Sequence, residues 1–177
     1  MPRRAPLRVD PIAEARRQWV AHGWSDAAGG MSAVTSVIRA QQLMLARIDQ
    51  ALRPFDLTFA RFEMLRLLAF TREGRIPMSS ATARLQLHAT SVTHTVGRLA
   101  RDGLVTREAH PRDGRAMMIV LTDAGATLVE RATTALNEVF SDIGLTEDDT
   151  AQLVGVLARF RRDAGDFAES APVPEPL

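Results

Sequence analysis

The 177-residue chain contains no cysteine, no lysine and no tyrosine. Without cysteine there are no disulfides, no thiolate zinc sites and no thiol-based redox sensing. The missing lysine leaves all 22 cations as arginine, a sign of GC-rich codon usage rather than of mechanism. No apolar run approaches the roughly 18 residues of a membrane-spanning helix. The segment Met1-Pro2-Arg3-Arg4 has no apolar stretch after it, so no secretory signal is expected and a cytoplasmic location is the default. Glycine-rich phosphate loops are lacking. The four histidines, His22, His88, His94 and His110, form no zinc-protease pair, and His88 and His94 are too far apart along one helix to share a direction. No converging nucleophile, base and orienter can be assembled. The sequence therefore predicts no metal, no cofactor and no enzymatic activity.

What is present is an ordinary globular composition, 46% hydrophobic and 24% charged, long enough for one sizeable core. The net charge of +1 conceals an asymmetry. Residues 1–119 carry 18 Arg against 10 acids, and residues 120–177 carry 4 Arg against 11 acids, giving +8 and −7. Such a division favours docking one face on a polyanion.

Hydrophobic periodicity and capping residues divide the chain into an extension (1–30), a first long-helix segment (31–57), a central module (58–122), two C-terminal helices (123–168) and a proline-rich tail (169–177) expected to be disordered. In the extension, Asp10 caps a short helix from Pro11 to about Trp24, and Ala27-Ala28-Gly29-Gly30 is expected to break it. A long helix from about Ser32 to Leu52 carries Val34, Val37, Ile38, Leu45, Ile48 and Leu52 as its stripe. Thr58 caps the next helix. Thr122 caps one reaching about Ile143, and Thr146-Glu147-Asp148-Asp149 begins the last as a capping box with Asp for Glu, running to about Phe167. The apolar stripes of the flanking helices exceed what a small central module can cover, so the surplus is expected to bury against a second copy.

Met78 to Thr122 carries the most specific pattern. A short helix (Met78–Leu85), with Ser79 as its expected cap, and a tight turn lead to a second helix (His88–Arg101). Two strands follow, Leu104–Glu108 and Ala116–Leu121, joined by the hairpin Pro111-Arg112-Asp113-Gly114-Arg115. Val92, Val96 and Leu99 form a buried seam, which turns Ser91, His94, Thr95 and Arg98 outward and leaves His88, Thr90 and Thr93 near the helix start. This is a winged helix-turn-helix: a polar helix for a DNA major groove and arginines for the minor groove beside it. Arg98 offers a bidentate fork, and hydroxyls at a helix N-terminus suit phosphate. Asp113 is expected to hold Arg115 in place. Gly97 is anomalous within a helix, and a close approach to a neighbour is one explanation.

At these residues the chain resembles the MarR family of bacterial transcriptional regulators. The wing pattern, Asp-x-Arg followed by apolar alternation and Leu-Thr, appears as Asp113-Gly114-Arg115 through Leu121-Thr122, and Arg98 to Val105 resembles the family's helix-to-strand junction. Ala81 and Gly97 depart from the residues usual there. The resemblance covers about 31–167. It implies a mostly α fold with a small β-wing, flanked by N- and C-terminal dimerisation helices, acting as a homodimer on a pseudo-palindromic duplex operator. It further implies a repressor released by a small aromatic or phenolic ligand, for which Trp19, Trp24, Arg39, Phe62 and Arg66 are the candidate contacts. A winged helix used only for protein assembly is the alternative. Such a module has no reason to cluster Arg98, Arg101, Arg112 and Arg115.

Overall fold

The computed structural model describes residues 7–168 apart from Leu87 and Arg112, with backbone only at Gly114 and Arg115. The chain divides into two compact units, Met1–Arg47 and Ile48–Leu177.

In the first unit, α1 (Pro11–Ala21) starts as expected: the Asp10 carboxylate accepts from the Ile12 N–H, and Pro11 occupies the first turn. The expected break at Ala27–Gly30 does not occur. Instead α2 runs without interruption over Ser25–Leu52. The Trp24 carbonyl accepts from the Ala27 and Ala28 N–H groups and starts the helix before the glycines are reached. Each glycine costs about 1 kcal/mol relative to alanine, which an already nucleated long helix absorbs. Trp19 meets Trp24 edge-on with centroids 5.4 Å apart, and the His22 ring stacks on Trp24.

The second unit holds the core. A 3-10 turn, Arg53–Phe55, follows α2 and ends at Asp56, whose φ of 51° reverses the chain. Then come α3 (Phe59–Ala69), β1 (Arg75–Pro77), α4 (Met78–Leu85), α5 (Ala89–Arg101), β2 (Val105–His110), β3 (Asp113–Leu121), α6 (Asp123–Ser141) and α7 (Glu147–Asp163). Three threonine caps are in place. Thr58 accepts from Arg61 N–H, Thr122 from Gly125 N–H, and Thr146 forms a reciprocal box with Asp149. Ser79 is not a cap. Pro77 is the N-cap of α4 and makes no side-chain cap bond, so Ser79 lies inside the first turn.

β3 lies between β1 and β2, antiparallel to both. Ile76 pairs with Ile119 and Arg107 with Ile119 from the other side. The strands are longer than expected because an irregularity between Ala109 and His110 lets pairing continue to His110 opposite Asp113. Asp113-Gly114-Arg115 therefore belongs to the strand and not to the loop. The core draws Leu52, Met64, Leu65, Leu68, Val92, Val96, Leu99, Ile119, Val129 and Leu136 from α2, α3, α5, β3 and α6, all fully buried. At Gly125 of α6, an added Cβ would lie 2.2 Å from the Leu104 carbonyl oxygen, so only glycine lets α6 approach the start of β2 this closely. Among the described residues no helix is long and apolar enough to cross a membrane.

Candidate nucleic-acid interface

The seam of α5 is as the spacing predicts: Val92, Val96 and Leu99 are fully buried against the core. Their burial leaves His88, Thr90, Ser91, Thr93, His94, Arg98 and Arg101 exposed. Thr95 is a correction. It is only 8% exposed, because position 95 lies one turn before Leu99 and three residues after Val92, on the flank of the same seam. The helix starts without a side-chain cap at His88, after a left-handed turn at Gln86 with φ 52°. Its first-turn N–H groups are therefore not taken up by a capping side chain, which suits phosphate. Thr93 Oγ1 donates to the Ala89 carbonyl, 2.9 Å away, so its proton is committed to its own helix. Ser79 is exposed on the first turn of α4.

Arg84, Arg98 and Arg101 make no ion pair among the described residues. The acid closest in sequence, Asp102, is engaged elsewhere: it pairs with Arg61 of α3, whose Nη1 also donates to the Asp56 carbonyl at 2.8 Å. Arg61 is 9% exposed and so pins the C-terminus of α5 to the corner before α3. A cleft of about 350 Å³, lined by Arg53, Asp56, Arg61 and Arg98 among others, opens beside this clamp. Arg112 and the Arg115 side chain lie outside the described residues. Asp113 is exposed at the start of β3.

The sequence did not single out Arg107. This β2 residue crosses to α5 and its Nη2 donates to the Thr93 carbonyl at 3.4 Å. A Cβ at Gly97 would stand 3.2 Å from that Nη2, which supplies the close neighbour that the helical glycine implied. The signal was a glycine on a helix followed ten positions later by an arginine on the next strand.

The expected ligand contacts are divided between the two units. Trp19, Trp24 and Arg39 belong to the first unit, and Phe62 and Arg66 to the second. Arg39 Nη1 donates to the Gln42 amide oxygen. Phe62 lies in the core, 6% exposed and stacked on Phe59. Arg66 is occupied as well. It reaches Glu130 at 2.9 Å, Thr133 Oγ1 at 2.6 Å and the Phe70 ring at 5.3 Å. Its position on α3 therefore bonds it to α6.

The comparisons with known proteins agree with this fold. The model of the MarR family matches residues 55–116. A solved MarR family transcriptional regulator from Streptomyces coelicolor is 41% identical, with a TM-score of 0.72 over 80% of this chain and 99% of the other. A curated HTH-type transcriptional regulator of Bacillus subtilis is 33% identical over 107 residues, 60% of this chain and 67% of its own length. Another Streptomyces coelicolor member, solved in complex with DNA, is 24% identical with a TM-score of 0.67 over 78% of this chain and 88% of that one. The chain belongs to the MarR family of winged-helix, DNA-binding transcriptional regulators. Its relatives are regulators and not enzymes.

Proposed function

We propose that this protein is a homodimeric repressor that binds a pseudo-palindromic duplex operator and leaves it when a small aromatic or phenolic ligand binds. In this reading α5 enters the major groove and presents Thr90, Ser91, Thr93, His94 and Arg98, with His88 and Ser79 toward the backbone. Arg112 and Arg115 of the wing reach the neighbouring minor groove, beside Asp113. The observation that carries it is the face of α5: a helix sealed to the core by Val92, Val96 and Leu99, with arginines on its outer side that have no acidic partner among the described residues.

The dimer is supported by uncovered apolar surface within each unit. In the first, Val34, Val37 and Ile38 of α2 are exposed; in the second, Val154, Val156 and Phe160 of α7 are exposed, Phe160 by 70%. A groove of about 600 Å³ between the end of α6 and α7 is lined by Phe140, Ile143, Leu145 and Val154. Two-fold pairing sets the recognition helices about 34 Å apart, one turn of duplex. Repression is supported by a similar Pseudomonas putida protein, 32% identical over 108 residues, whose name is that of a transcriptional repressor. For ligand release the support is a regulator of the same fold solved with 2,4-dichlorophenol bound.

Selection of bound duplexes from a random pool tests the reading. It expects an enriched inverted repeat with half-sites one turn apart, affinity that falls steeply from about 50 to 200 mM salt, and release by substituted phenols or aromatic acids. No enriched sequence together with a flat salt response would overturn it in favour of a protein-assembly module.

A further inference from the structure

We propose that Arg107, seated against α5 by the notch at Gly97, is a DNA-phosphate contact of this protein. The proposal rests on the reading that α5 docks on duplex DNA. In the β2–β3 pairing Arg107 is opposite Ile119, a fully buried core residue. Directly opposed residues project from the same face of a sheet, so the aliphatic stem of Arg107 starts on the helix-covered face. Its guanidinium then emerges beside α5, exposed, with Nη2 donating to the Thr93 carbonyl. That bond is long at 3.4 Å and takes one of five N–H donors. No carboxylate is paired with Arg107 among the described residues. An arginine held at the edge of a recognition helix, with most of its donors directed to solvent, suits a phosphate oxygen flanking the major groove.

Gly97 is what allows this placement. Any side chain there meets Nη2 first: a Cβ at 3.2 Å is tighter than an ordinary contact, and a longer side chain fills the notch entirely. The helix accepts the propensity penalty of glycine, and in return the wing strand delivers a cation along its flank. Because a phosphate carries no sequence information, the contribution of Arg107 is to affinity and register rather than to base choice.

The test uses full-length protein and the selected duplex alongside an unrelated duplex, by fluorescence anisotropy at several salt concentrations. Arg107→Ala is expected to weaken binding to both duplexes by about tenfold at 50 mM salt and to lower the salt slope by about 0.9. With that slope change the defect shrinks about 3.5-fold between 50 and 200 mM. Arg107→Lys should recover the slope. Gly97→Ala should raise the melting temperature yet weaken DNA binding a few-fold, and in the Arg107→Ala background it should leave binding unchanged. If wild-type protein binds and Arg107→Ala and Arg107→Gln keep its affinity and slope, the proposal fails while the DNA reading stands. A loss confined to the selected duplex overturns the phosphate assignment in favour of base contact. If the wild type binds neither duplex, it is the underlying reading that has failed.

Discussion

Two arginines of α3 show how burial changes the value of a charge. Arg61 is nearly inaccessible and Asp102 keeps 43% of its side-chain surface exposed, so their ion pair is lopsided. Deleting the carboxylate strands a buried cation, whereas deleting the guanidinium leaves an acid that water still reaches. Asp102→Ala should therefore destabilise by about 2 kcal/mol and Arg61→Met by about half that, in denaturant titrations. The reverse order would show that packing of the arginine stem dominates. Glu63 on the same helix has its carboxyl pushed above the ordinary range by burial. A raised folded value means that the folded chain binds more protons within that window, so stability falls as pH rises through it. Glu63→Gln should accordingly melt higher than wild type at pH 7, with the advantage fading as pH drops below the carboxylate range. A difference independent of pH would refute that cause. At this scale the sequence was partly legible. Val92, Val96 and Leu99 announced their burial by spacing, but Thr95 did not, because a threonine on the flank of a seam carries no polarity signal strong enough to separate it from its exposed neighbours. Arg107 was invisible because its role depends on the pairing of β2 with β3 and on a gap left by Gly97, neither of which is local.

Among the elements, caps were the most readable features. Asp10, Thr58, Thr122 and Thr146 each act within three residues, and each was assigned from the sequence alone. Breaks were less readable. Gly29-Gly30 sits inside α2, since helix propagation outweighs two local penalties once Trp24 has accepted the first N–H groups. Gly125 shows the opposite case, a glycine demanded by tertiary approach. Gly125→Ala should gain a little helix propensity and still lose about 2 kcal/mol or more overall, because its Cβ meets a backbone carbonyl that cannot rotate away. Thermal unfolding measures it directly, and a melting temperature at or above wild type would mean that α6 can slide off β2 freely.

For the molecule as a whole, the exposed face of α7 makes the prediction. Phe160→Asp removes an aromatic that the monomer leaves largely in water, so the fold of a single chain should be little affected. The association of two chains should fall sharply. Sedimentation velocity on both proteins decides this: a wild-type monomer, or a variant that remains dimeric, would exclude α7 from the interface. The fold class was legible in the sequence because seven amphipathic helices and a wing leave few ways to bury their stripes. The burial of Phe62 and the bonding of Arg66 to α6 were not. Burial and the reach from α3 to α6 are properties of the assembled core.

Arg61 and Arg66 stand five positions apart on a single rod, one latched to the tail of α5 and the other to the flank of α6. A rigid rod gripped at both ends cannot yield at one without straining the other. α5 and α6 thus share one support, fastened to α3 within five residues of each other with no loop between the two attachment points.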